Sequence, residues 1–254
     1  MLEIYDGTGR PVEDLAFEAW MLDRAAGGHP CMQISSWSGP VVVLGYAQPP
    51  DEVDLEYCRR QSIPVYRRLT GGTGVIHLGD LGLALALPAD HPWAKGVVGL
   101  YDRFLDVLEA ALRPFEPRIS RKQDPPRAAR VRSPVCFLDQ LSDTLLVGGR
   151  KVVGCAQSRR RGAVLIHAAV LLALDAELYA RVFRSDVDEI RAGLAPAVGA
   201  GADWREIGAA IARRSAGGLG LTPRVQPRPT VDPRYLEPYG QQRWAPTARG
   251  RVES

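Results

Sequence analysis

The chain has 254 residues, 46% hydrophobic and 24% charged, with a formal net charge of +3. That length builds one large domain or two modest ones around a sizeable core, and so mild a charge does not by itself argue for a nucleic-acid ligand. No run of about 18 apolar residues occurs, so no membrane-spanning helix is expected; the opening MLEIYDGTGRPVEDL carries acids and lacks the apolar core of a secretion signal.

In chain order, EDLAFEAWMLDRAA (13–26) sets Leu15, Trp20 and Leu22 among good helix formers and predicts an amphipathic helix. CMQISSW and VVVLGYA, separated by Ser38-Gly39-Pro40, read as a hairpin. DEVDLEYCRRQ (51–61) begins with acids and ends with arginines, which suits a helix dipole. IPVYRR, GVIHL and LGLALAL are three further strands, cut by Thr70-Gly71-Gly72 and Gly79-Asp80. Residues 96–115 carry Val97, Leu100, Phe104, Leu108 and Leu112 at helical spacing and stop at Pro114. The basic, proline-rich segment 117–134 reads as a loop. DTLLVGG (143–149), RKVVGCAQ (150–157) and GAVLIHAAVLLAL (162–174) form three antiparallel strands, with turns at Gly148-Gly149 and Arg159-Arg160-Arg161. Helices follow near 175–184, 186–194 and 203–216. From Pro223 onward, six prolines and six arginines without an apolar period read as a tail, leaving residues 1–222 as the folded domain. The fold class is α+β, with strands in two groups and helices between them.

Four cysteines, Cys31, Cys58, Cys136 and Cys155, stand far apart with no CxxC pair. Their spacing argues against a zinc site or a disulfide framework and for reduced thiols in a cytoplasm, one of which could be a nucleophile. The lysines are as informative: only Lys95, Lys122 and Lys151 occur, against a background of arginine. Lysine is a compact donor that can lose its proton when buried, which arginine cannot do. Lys151, in GGRKVVGCAQSRRRG, is therefore a candidate for chemistry, the alternative being a surface lysine in a turn. Cys155 follows it by four residues. On a regular strand the two would share a face about 13 Å apart at about 3.3 Å per residue, too far for a hydrogen bond.

YRRLTGGTGVIHLGD ends a strand in Arg67 and Arg68, turns through Thr70, Gly71, Gly72, Thr73 and Gly74, and starts the next strand at once. Such a turn brings backbone close to a ligand and its amides can cradle an anion, although a glycine-rich hairpin needs no ligand. Further on, VCFLDQLSDTLLVGGRKVVGCAQSRRRGAVLIH gathers Cys136, Asp143, Lys151 and His167 within one antiparallel array.

Together the two segments resemble the lipoate/biotin ligase and octanoyltransferase superfamily. The likeness covers most of residues 13–175: the first helix, the Trp37 strand, GYAQ at 45–48, RRLTGGTGVIH, ALPADHP at 86–92 and GRKVVGCAQSRRRGAVLIH. It departs at Thr73, where the family more often has Gly or Arg, and at Ala168, where Gly usually follows the His. Leu81-Gly82-Leu83 also lacks polar residues that many ligases carry there. The resemblance implies a two-sheet catalytic domain with a slot for octanoate or lipoate between the sheets and Lys151 at the acyl carbonyl. It further implies substrate contacts from Arg67, Arg68, Thr70, Gly71, Gly72, Thr73, Gly74, His77, Gly154, Ala156 and His167. Arg67 and Arg68 are better suited to a phosphate or a pantetheine arm. His77 and His167 read more readily as structural than as proton-transfer groups.

Two chemistries go with that family. A transferase takes octanoyl from acyl carrier protein through a cysteine thioester, without a cofactor, and passes it to a lysine of a lipoyl domain or a glycine-cleavage H-type carrier. A ligase activates free lipoate with ATP and Mg. The PVCF context of Cys136 resembles the nucleophile site of one branch of cysteine octanoyltransferases, whereas Cys155 stands where the family usually has a small residue and reads as packing. The accessory domain of many ligases has no counterpart after about residue 222. The expectation is a monomeric, cytoplasmic octanoyltransferase with Cys136 and Lys151 catalytic, no metal, and no nucleic-acid or membrane partner. A lipoate-protein ligase and a non-catalytic binder of lipoyl carriers are the alternatives, and the arginines at 159–161 could meet an acidic carrier.

Overall fold

The computed structural model describes residues 1–121, 133–135, 138, 144–160, 162–199 and 201–240. The elements are β1 (Leu2–Asp6), α1 (Pro11–Ala26), β2 (Cys31–Ser35), β3 (Val41–Leu44), α2 (Leu55–Arg60), β4 (Val65–Arg67), β5 (Val75–His77) and β6 (Leu81–Pro88). They continue with α3 (Val97–Leu112), β7 (Ser120–Arg121), β8 (Leu145–Val147), β9 (Arg150–Arg160), β10 (Ala163–Val170), α4 (Ala176–Phe183), α5 (Val187–Gly193), α6 (Trp204–Gly218), β11 (Pro223–Val225) and α7 (Pro233–Gly240).

Two sheets carry the fold. An eight-stranded sheet runs β11-β1-β2-β6-β10-β9-β8-β7, and a three-stranded sheet runs β4-β3-β5. The large sheet is covered on one face by α3 and α6, through a core that includes Leu83, Leu85, Phe104, Leu108, Val164 and Ile211. Its other face carries α1, packed through Leu15, Phe17, Met21 and Leu22 onto Ala84, Ala86 and Leu165. The small sheet lies on that same side: Val42, Leu44 and Val75 pack with Ala169, Leu171, Tyr179 and Leu194. The α+β class and the two strand groups expected from the sequence are therefore present.

Several expectations change. The proposed hairpin is absent, because β2 pairs with β1 and β6 while β3 pairs with β4 and β5. Both strands are buried along their whole length, so each needs cover on two faces, and the Ser36–Pro40 link crosses between sheets instead of closing a ladder. The expected helix 51–61 shortens to α2, where the Asp54 carboxylate caps the backbone N–H of Tyr57 at 2.9 Å. Val97, placed in the apolar stripe of α3, is exposed. Arg159, expected in a turn, lies instead near the end of β9; it is exposed and donates to the carbonyls of Ala94 and Gly96, tying down the start of α3. The opening residues form β1, which the sequence reading left unassigned, and the tail expected from Pro223 contributes β11 and α7.

Candidate active site

The RRLTGGTG segment owes its shape to Arg68. This side chain is buried, and its guanidinium donates to Thr70 Oγ1 (2.9 Å), Gly71 O (2.7 Å), Thr73 O (3.0 Å) and Val43 O (3.3 Å). Arg67 donates to the carbonyls of Gly45 and Tyr46. The paired arginines expected to meet phosphate or pantetheine thus direct these bonds into the protein: in Arg68 a fixed fork of donors holds the carbonyls of the turn. The glycines are steric necessities. Gly72 has a φ of +89°, and a Cβ on Gly45 would sit 1.9 Å from Gly72 O. Gly74 packs so close to Phe183 that a Cβ would come within 2.4 Å of its ring.

From this turn a polar chain runs across the interior. Thr70 Oγ1 lies 2.7 Å from His167 Nε2, and His167 Nδ1 lies 3.4 Å from Glu18 Oε1. Burial pushes the His167 pKa down, against the pull of Glu18, so the neutral ring holds one proton. With the carboxylate facing Nδ1 and Arg68 already donating to Thr70, the consistent assignment is Nδ1–H toward Glu18 and the Thr70 hydroxyl donating to Nε2. Glu18 Oε2 is buried without a hydrogen-bond partner among the described residues.

These groups face a narrow cavity of about 50 Å³ between α1, the small sheet and the face of β6, β9 and β10. Leu15, Val43, Val75, Ala84, Ala156 and Ala169 give it apolar walls, and Gly154 keeps one wall flat. One end is polar, with Asp14, Trp37, His77 and Asp80. There Trp37 Nε1 donates to Asp14 Oδ2 at 2.9 Å, the Trp37 ring meets His77 edge-on at 4.7 Å between centroids, and His77 Nδ1 lies 2.8 Å from Asp80 Oδ2.

Lys151 reaches the cavity side of the sheet through an irregularity the sequence did not reveal. Across the β8–β9 ladder Leu145 pairs with Val153 and Leu146 with Lys151, so Val152 is an extra residue. The two residues of such a bulge lie on one side, and Val152 and Val153 both enter the helix-side core. Lys151 is thereby turned to the side of Gly154, Ala156 and His167. Its backbone bridges to Leu194, a member of the small-sheet core, which agrees with that placement. Lys151 is 6% exposed. The expectation that Lys151 and Cys155 share a face therefore fails, and Cys155 packs against the helix-side core.

Cys136 and Asp143 lie outside the described residues. The chain immediately before Cys136 is anchored beside the turn: Gly74 bridges to Val135, Gly74 N donates to Pro134 O at 3.0 Å, and Gln48 Nε2 donates to the same carbonyl at 2.9 Å. Leu138 packs on Gly193, which precedes the Lys151 partner Leu194. Of the other thiols, Cys31 and Cys58 are buried, and burial raises both pKa values, that of Cys58 to about 11. Neither is poised as a thiolate.

Of the residues that sequence reasoning named, Arg68, His77, Gly154, Ala156 and His167 line the cavity, whereas Lys151 lies on the same side of the sheet without being one of its lining residues. Sequence reasoning missed Asp14 and Glu18. The available signal was two acids at i and i+4 on the same buried helical face as Leu15 and Leu22.

The Lipoyl protein ligase A/B catalytic domain family matches residues 10–201. An octanoyltransferase LipM of Moorella thermoacetica is 31% identical over 193 residues, covering 73% of this chain and 70% of the relative. The LipM of Geobacillus kaustophilus is 29% identical over 197 residues, covering 71% and 68%. In fold, the chain is similar to a lipoate-protein ligase A crystallised with ATP, with a TM-score of 0.75 and 22% identity over 93% of this chain and 92% of the other. Protein Ta0514 of T. acidophilum with bound lipoic acid gives a TM-score of 0.73 and 21% identity over 93% and 92%.

Proposed function

Because the chain belongs to the lipoyl protein ligase A/B catalytic domain family, we propose that it is an octanoyltransferase working through a thioester on Cys136. Relatives named octanoyltransferase LipM, similar over about 70% of both chains, support this activity over ATP-dependent ligation. In the first step the Cys136 thiolate attacks the carbonyl carbon of octanoyl acyl carrier protein. The C–S bond to pantetheine breaks, and the departing thiolate takes up a proton. In the second, a neutral lysine amine of a lipoyl domain or H-type carrier attacks the acyl-enzyme; the C–S bond to Cys136 breaks, the amide nitrogen releases one proton to solvent, and Cys136 returns as thiolate. Lys151 donates to the acyl oxygen as negative charge develops on it and favours the thiolate. The acyl chain enters the cavity between the sheets, with Gly154 and Ala156 beside it. No ATP or metal takes part, and the protein acts as a cytoplasmic monomer.

The observation that carries this assignment is the convergence of two backbone ties. Val135, one residue before Cys136, is bridged to Gly74, and Lys151 is bridged to Leu194 beside the Leu138–Gly193 contact. The inward engagement of Arg68 also favours a transferase, since a cation already bonded to four protein acceptors is poorly placed to bind nucleotide phosphate. Intact-protein mass after mixing the chain with octanoyl acyl carrier protein, without ATP, tests the assignment. An octanoyl adduct mapped to Cys136 and lost in Cys136→Ser is the expected result. No adduct, with apo carrier modified only when ATP and lipoate are supplied, would make the protein a ligase.

A further inference from the structure

Residues beyond the family match also touch the cavity wall from behind, through one side chain that contacts the lining residues Asp14 and Gln33. The stretch after β11 runs back across α1 and ends in α7, and at its centre Arg228, its side chain 12% exposed, sits among polar groups of α1, β1 and β2. Its Nη1 lies 2.9 Å from Asp14 Oδ1 and 3.3 Å from both Gln33 Oε1 and Asp6 O, while Nη2 donates to Glu13 O at 2.7 Å. The guanidinium carbon lies over the Phe17 ring, 4.0 Å from its centre. Downstream, Val231 and Tyr239 are buried in the α1 core, and Tyr235 donates to Asp23.

Asp14 makes this contact consequential. It is 1% exposed, and Arg228 is its only salt-bridge partner among the described residues. The same carboxylate accepts from Thr8 N at 2.8 Å and from Trp37 Nε1 at 2.9 Å. Trp37 in turn meets His77 at the polar end of the cavity. A buried carboxylate deprived of its cation takes up a proton or draws in water, and in either case it holds the indole less firmly.

We propose that residues 226–240 are a strap that completes the acyl pocket, with Arg228 a positioning residue that acts through Asp14 on Trp37 to set where the acyl chain stops. The proposal deepens the octanoyltransferase assignment and rests on it for the identity of the ligand. Arg228 touches no substrate. A pocket wall held in place discriminates one methylene by about 10- to 200-fold, and a wall that can move does not.

The experiment uses the full chain and hexanoyl, octanoyl and decanoyl acyl carrier proteins, with acyl-enzyme formation followed by intact mass for wild type, Arg228→Gln, Arg228→Lys and the double variant Asp14→Asn/Arg228→Gln. Arg228→Gln should lose the preference for octanoyl over decanoyl to within about threefold, through KM for the longer donor and not through kcat. The double variant removes the unpaired charge while leaving an amide oxygen for Trp37. It should recover both melting temperature and preference, and Arg228→Lys should fall between. The Trp37 indole resonance in a nitrogen-15 NMR spectrum gives a second readout that needs no activity, and Arg228→Gln should shift it. If Arg228→Gln lowers the melting temperature but leaves the chain-length preference as in wild type, Arg228 is a structural brace and the proposal fails. If wild type forms no adduct with any donor, the octanoyltransferase assignment fails instead. The strap then stands or falls on the indole shift.

Discussion

Replacing Arg68 by Met should loosen the Thr70–Gly74 turn by an amount that follows from its bonds. Four acceptors lose a donor. Gly71 O is on an exposed residue and takes water, and the bond to Val43 O is already long at 3.3 Å. Thr70 and Thr73 are 0% and 3% exposed, so Thr70 Oγ1 and Thr73 O have no ready substitute. A buried acceptor left without a donor costs about 1–3 kcal/mol, giving roughly 2–6 kcal/mol for the pair. Met no longer has to bury a charge, which offsets part of this, so the net loss is about 3 kcal/mol. For a chain of this size that lowers Tm by roughly 6–12 °C. Calorimetry gives the Tm, and the rate of octanoyl-adduct formation well below it shows whether the turn still supports chemistry. Arg68→Lys, with one ammonium in place of a fork, should lose about half as much. A Met variant melting within about 2 °C of wild type would refute the claim that Arg68 holds the turn.

Neighbouring glycines offer a matched pair: Gly45→Ala drives a Cβ into the Gly72 carbonyl and should cost about 1–3 kcal/mol or more, whereas Gly71→Ala meets nothing within 4 Å and should stay within about 0.5 kcal/mol in denaturant titrations. His167 has a pKa lowered by burial. The unfolded chain therefore binds more protons than the folded one as pH falls below about 6.5, so stability declines over that range and is flat with respect to this group above it. His167→Gln should flatten that acid limb of Tm against pH, and an unchanged slope would count against a buried neutral ring; burial lowers the His91 pKa too, so some slope remains. Lys151→Met should slow adduct formation by about 100-fold or more, and a rate within threefold of wild type would remove Lys151 from the reaction.

The strands around the turn and the array ending at His167 were legible because glycine pairs punctuate short apolar runs there. The pairing of strands was not. CMQIS and VVVL are alike in composition, and only the crossing link with Trp37 buried on Asp14 separates their sheets. The side to which Lys151 turns was also hidden. Counting by two from Cys155 gives the wrong face, and nothing in RKVVGC marks Val152 as the extra residue. The C-terminal segment escaped notice because its contribution is a three-residue strand, one arginine and a short helix, none of which makes an apolar period. Its placement depends on acids far back in the chain.

The pairing of β1 with β11 bears on how the molecule is made. Leu2–Ile4 line up in parallel with Pro223–Val225, partners about 220 residues apart. At about 5–20 residues per second of synthesis, the outer side of β1 waits roughly 10–40 s before its neighbour exists, presenting an open strand edge to any other chain nearby. Arg228 is synthesised later still, so the Asp14 carboxylate is buried with its cation only near the end of assembly. A nascent chain stalled before residue 223 would hold the turn, Lys151 and His167, yet be sticky at one edge. Such a species is one that a chaperone would bind and a completed molecule would release.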